Sequence, residues 1–154
     1  MPANKSFIRI LGLLLILAGI SLPVSAVEPV YRDDSGKAIR GYDPVSYFTD
    51  SRARKGTDEL SYSWQGADWY FSSAENQQAF IADPDKYAPQ YGGYCSWAVS
   101  RGYTAPVDPK AWHIHDNRLY LNFSKSVQRN WKKDIPGNIA AGNSNWPGLV
   151  SHSE

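Results

Sequence analysis

Two aromatic-rich stretches, each split by turn residues and each followed by a hydroxyl that opens a helical pattern, set the strongest limit on the fold. In the first, Tyr62-Ser63-Trp64 and Trp69-Tyr70-Phe71 flank Gln65-Gly66-Ala67-Asp68, within Leu60 to Phe71. In the second, Ala111 to Phe123 is divided at Asp116-Asn117. Aromatic and β-branched runs around such turn residues read as β-hairpins. Ser72-Ser73-Ala74-Glu75 places a hydroxyl three residues before Glu, a capping box, so a helix is expected to about Ala82, with Phe80 as its core anchor. Asp83 caps a short turn begun by Pro84 that carries Tyr87 inward. Ser124 opens an amphipathic helix whose Val127 and Trp131 are four apart, and Pro136 is expected to end it. The tail, with Trp146-Pro147-Gly148-Leu149, holds another short helical stretch. The order hairpin, helices, hairpin, helices, without βαβ spacing or an internal repeat, predicts a small single α+β domain with two β-hairpins and several short helices.

The start of the chain is a separate segment. Lys5 and Arg9 precede an apolar run from Ile10 to Leu22, closed by Val24-Ser25-Ala26, whose small residues suit signal peptidase. The run is about 13 residues, short of the ~20 that span a bilayer, so residues 1–26 read as a Sec-type signal peptide and the domain as residues 27–154. A periplasmic or secreted location follows as an expectation, with no membrane span after cleavage. Losing Lys5 and Arg9 leaves 14 basic against 15 acidic residues and removes Met1, the only methionine. That balance gives no concentrated basic face for nucleic acid. It also leaves Cys, His and carboxylates as the available metal ligands. With one cysteine, Cys95, no internal disulfide can form.

Asp43-Pro44-Val45, the run Trp69-Tyr70-Phe71-Ser72-Ser73, Phe80, and Asp83-Pro84-Asp85-Lys86-Tyr87 resemble the YHS domain family over residues 41–87. Residues 88–149, from Tyr91-Gly92-Gly93-Tyr94-Cys95 to Trp146-Pro147-Gly148, resemble the secreted single-domain YHS proteins of bacteria. The resemblance implies a metal-associated α+β domain with cysteine ligands. At the family's cysteine positions this chain has Ser46, Ser72 and Asn76. A hydroxyl is a poor ligand for soft metals, so the family's metal function does not carry over through them.

Two candidate sites remain. Cys95 is expected in the first turn of a short helix ended by Gly102, where unpaired N–H groups favour a thiolate; the bland alternative is a small buried side chain among aromatics. His113 and His115, two apart on a strand, share one face with the spacing of a copper or zinc chelate, although Arg118 opposite disfavours a cation and suits a solvated polar face. Asp43, Asp68, Asp108 and Asp116 all lie in expected turns and point to no acid/base catalysis. No hydrolase, phosphate-loop or Cys-x-x-Cys motif is present. Three readings follow: a non-enzymatic binding protein handling copper or zinc through Cys95 with His113 or His115; a metal-free module contacting a periplasmic protein or small molecule; and a thiol redox factor.

Overall fold

The computed structural model describes residues 26–150. β1 (Thr57–Trp64) pairs antiparallel with β2 (Ala67–Phe71), and β3 (Asp108–His115) with β4 (Arg118–Asn122), as two separate two-stranded sheets. Six helices surround them: α1 (Ser46–Thr49), α2 (Ala74–Ala82), α3 (Pro84–Tyr87), α4 (Ser96–Ser100), α5 (Lys125–Trp131) and α6 (Ile135–Leu149). This is the small α+β domain that the segment order predicts. The expected signal peptide, except Ala26, lies outside the described residues. Among the described residues no helix is long and apolar enough to cross a membrane.

Both hairpins turn on two residues with left-handed backbone: Gln65 and Gly66 at φ 50° and 74°, Asp116 and Asn117 at φ 47° and 57°. Positive φ at both central residues matches the right-handed twist of the flanking strands. The first turn is shorter than the four residues expected, because Ala67 and Asp68 pair with Trp64 and Ser63. In the second hairpin His113 opposes Tyr120 and His115 opposes Arg118, the register expected from an Asp116-Asn117 turn.

The helix boundaries differ from expectation at three places. Ser73, not Ser72, caps α2 by accepting the Asn76 N–H, since the Ser72 side chain is engaged elsewhere. Cys95 is the residue before α4 and not part of its first turn. Pro136 does not stop the chain's helical course: Asp134 caps Gly137 and Pro136 falls in the first turn of α6, where a missing N–H costs nothing. α6 consequently runs 15 residues.

The expectation of no internal repeat is also corrected, because the two hairpin–helix units match at a constant offset of 51 residues. Both bulges lie between equivalent positions, Thr57 to Ser61 and Asp108 to Trp112. Ser73 and Ser124 cap α2 and α5, and Asp83 and Asp134 cap the helices that follow. Gln77 Nε2 donates to the Ser61 carbonyl 2.9 Å away, and Gln128 Nε2 to that of Trp112. Phe80 and Trp131, also equivalent, are both fully buried. Ser73 and Ser124, Gln77 and Gln128, and Asp83 and Asp134 are identical pairs, but the positions around them differ, which hides the repeat from the sequence.

Two apolar clusters result. Val45, Tyr47, Trp69, Phe71 and Phe80 pack with Leu119 and Leu121 of β4, while Tyr120, on the opposite face of β4, packs with Tyr91, Val99 and Trp131. The second hairpin is thereby buried on both faces and joins the units. Arg101 closes the other side, with its guanidinium carbon 3.5 Å from the Trp97 ring centre and its Nη1 2.7 Å from Asn138 Oδ1 on α6.

Candidate functional site

Asp43 is fully buried, contrary to its reading as an ordinary turn residue. Its Oδ1 accepts the N–H groups of Val45 (2.8 Å) and Ser46 (3.3 Å), which start α1. Its Oδ2 accepts the Ser72 N–H (2.8 Å), the Ser72 hydroxyl (2.6 Å) and Asn76 Nδ2 (2.7 Å). The buried Ser46 hydroxyl lies 2.8 Å from the Asp43 carbonyl and 2.9 Å from that of Arg52. Ser46, Ser72 and Asn76 therefore meet around one carboxylate, although 30 residues of chain separate the outer two. A buried carboxylate is tolerated only with its lone pairs filled, and here five donors fill them.

This cluster does not fit a soft transition metal. Its donors are hydroxyls, an amide and one carboxylate already saturated by N–H and O–H groups, whereas copper(I) and zinc select thiolate and imidazole. Among the described residues no group of three His, Cys, Asp or Glu side chains is placed to hold a metal ion.

Cys95 is 1% exposed. Its sulfur accepts the Phe123 N–H at 3.3 Å and lies 3.8 Å from Asn122 Oδ1, which in turn accepts the Trp97 N–H at 3.1 Å. The Asn122 Nδ2 has no partner. Phe123 is the repeat equivalent of Ser72, whose N–H goes to Asp43. By this hydrogen bond, and one residue out of the 51-residue offset, Cys95 takes in the second unit the part that Asp43 takes in the first, with Asn122 supplying the other half of the acceptor role.

His113 and His115 do lie on one face, with ring centres 6.5 Å apart. Both are half-buried, in different surroundings. The His113 ring packs edge-on to Trp131 at 5.9 Å, and burial, then the charges of Lys132 and His115, hold its pKa below the ordinary imidazole value. His115 faces Asp116 at 3.5 Å.

A concave surface runs beside α6, from the tip of the first hairpin to the tip of the second. One part, about 450 Å³, is walled by Trp64, Tyr91 and Trp146; the adjoining part, about 520 Å³, by His115, Arg118 and Tyr120. Gln90 and Asn143 border both. The floor is built by close packing: Tyr91 and Gly92 take left-handed φ of 57° and 60°, and a Cβ on Gly92 would lie 1.9 Å from the Pro29 carbonyl oxygen. The Tyr91 hydroxyl lies 3.0 Å from Asn143 Oδ1, and burial raises its pKa. Nothing local in the sequence marks this cleft, because its walls come from five distant segments.

Residues 45–91 match the family model of the YHS domain. No curated protein sequence and no solved structure matches the chain significantly.

Proposed function

From the premise that residues 45–91 form a YHS domain, we propose that the protein is a secreted or periplasmic binding module that works without a metal at Ser46, Ser72 and Asn76 and takes its ligand in the cleft beside α6. One observation carries the reading: Ser72 and Asn76 give their donors to the buried Asp43 carboxylate. A site that satisfies itself with hydrogen bonds is a structural knot and needs no ion to hold its strands together. The cleft is the concave surface with both aromatic walls and free polar edges that a binding role requires. The test compares thermal unfolding of the purified protein before and after chelator treatment, with metal analysis of both samples. An unchanged midpoint and no stoichiometric metal are expected; a chelator-induced fall of several degrees refutes metal independence.

A second reading, copper or zinc handling through Cys95 with His113 or His115, draws support from the free thiol of Cys95 and the shared face of the two imidazoles. It requires an ion to reach a side chain that is 1% exposed. Titration of the reduced protein with Cu(I), Cu(II) and Zn(II) against a competing chelator separates the two. One equivalent bound tightly and lost in Cys95→Ala and in His113→Ala/His115→Ala would establish it in place of the first.

A further inference from the structure

We propose that the cleft beside α6 binds an uncharged, polyhydroxylated ring compound, a neutral oligosaccharide segment laid along α6 between the two hairpin tips. The inference rests on the binding-module reading and names its ligand class. Three features of the lining select that chemistry.

The first is the indoles. Trp64 and Trp146 border the same part of the cleft, one from the tip of the first hairpin and one from α6, and each is half-buried. Trp64 is held against Trp69 and Phe80 at ring-centre distances of 5.7 Å to each, and Trp146 against Tyr94 at 5.8 Å and Tyr91 at 6.1 Å. Aromatic walls pre-set by packing bind the C–H face of a ring without loss of side-chain freedom on association.

The second is the kind of polar group between them. Gln65, Gln90 and Asn143 are amides, each able to donate and accept, which is what a hydroxyl requires of a partner. Two are held in place by the protein itself: Gln90 Oε1 accepts Arg118 Nη1 at 3.4 Å and Asn143 Oδ1 lies 3.0 Å from the Tyr91 hydroxyl. Neither amide nitrogen donates a hydrogen bond within the described residues, and both residues line the cleft. A ligand lacking hydroxyls would leave these groups dehydrated and unpaired.

The third is charge. Arg118, Asp116 and Asp85 meet at the second-hairpin end of the cleft with Lys86 beside them, so neither an anionic nor a cationic ligand meets a one-sign surface. The polar edges and the opening to solvent equally disfavour a purely apolar guest.

The experiment is calorimetric and NMR titration of the purified protein with neutral β-linked hexasaccharides of glucose and of N-acetylglucosamine, beside an anionic hexasaccharide of galacturonate. At least one neutral probe is expected to bind with a Kd of about 1 mM or tighter. Asn143→Ala and Gln65→Ala, both at exposed positions, should each weaken it severalfold, and Trp146→Phe less, while Lys110→Ala on β3 should not change it. No binding of either neutral probe at 10 mM, binding indifferent to Asn143→Ala and Gln65→Ala, or preference for the anionic probe would each overturn the proposal. The two readings fail apart: chelator sensitivity refutes the metal-independent module, whereas absent saccharide binding by a chelator-resistant protein refutes only the ligand class.

Discussion

Replacing Asp43 by Ala should be among the most damaging single changes in the domain, and its cost follows from the five donors on the carboxylate. A hydrogen bond to a charged group contributes about 1.5–3 kcal/mol, and a buried donor left without an acceptor costs about 1–3 kcal/mol. The five do not add, since they share one carboxylate and two of them lie within its own turn. The three at Oδ2 join β2 and α2 to the Asp43 turn, and their loss sets the scale at about 4 kcal/mol. A domain of this size is stable by about 5–15 kcal/mol, so Asp43→Ala should fold marginally. Asp43→Asn keeps the volume and one acceptor but presents an NH₂ to the Ser72 and Asn76 donors, and should cost about 2–3 kcal/mol. Urea unfolding reads both. With a slope of about 1.5 kcal/mol/M, Asp43→Ala should lower the midpoint by about 2.5 M. Adding Asn76→Asp to Asp43→Asn exchanges donor and acceptor, and the double-mutant cycle should show coupling of about 1 kcal/mol or more. An Asp43→Ala shift below about 1 kcal/mol, or no coupling, would refute the hub.

Other outcomes follow from the same geometry. His113 has a folded pKa below its unfolded value of about 6.5. As pH falls through 6.5 the unfolded chain therefore takes a proton that the folded chain refuses, and stability should drop until the folded pKa is passed. His113→Gln should flatten urea midpoints measured between pH 8 and pH 5, and an unchanged slope would refute the assignment. Ser73→Ala and Ser124→Ala should each cost about 1 kcal/mol, and the double variant close to the sum, in equilibrium unfolding. Gly66→Ala and Gly92→Ala both place a side chain at positive φ, 74° and 60°; the first meets no atom within 4 Å and the second meets the Pro29 oxygen at 1.9 Å. Gly66→Ala should therefore cost about 1 kcal/mol and Gly92→Ala several times more, as thermal unfolding will show. Cys95, 1% exposed, should react with a thiol reagent only as fast as the domain opens, so its labelling rate should rise steeply with urea; rapid labelling in plain buffer would contradict the burial.

Hairpin strands, the second turn, the caps at Asp83 and Ser124 and the fold class were legible because each is written in neighbouring residues. Asp116-Asn117 sets its own register, and Asp83-Pro84 announces its own cap. What resisted reading was whatever depends on distant partners. Asp-Pro-Val looks like a turn whether or not its carboxylate is buried, and only the meeting of β2 and α2 with α1 brings Ser72 and Asn76 to Asp43. The same holds for Pro136, which reads as a stop until Asp134 is seen to cap the helix that Pro136 enters. For the histidines, spacing correctly implied a shared face. It did not reveal that Trp131 from α5 covers one ring and leaves the other beside Asp116.

The repeat explains why so unlike a pair as Asp43 and Cys95 occupy corresponding places. The residue there must accept the N–H of the residue preceding a serine cap, Ser72 in one unit and Phe123 in the other. In the first unit that residue also brings a hydroxyl, and one helical turn later Asn76 brings an amide, so Oδ2 is filled, while the N–H groups of Val45 and Ser46 fill Oδ1. In the second unit the equivalents are Phe123 and Val127, which donate nothing from their side chains. The N–H of Trp97, which follows Cys95 by two residues as Val45 follows Asp43, goes to Asn122. A carboxylate at position 95 would keep one donor, the Phe123 N–H, and leave an oxygen dehydrated at a cost of several kcal/mol. A sulfur, a weak acceptor at ease among apolar groups, asks for only that one N–H. The donor supply at 72 and 76 against 123 and 127 thus decides which unit holds a carboxylate and which a thiol.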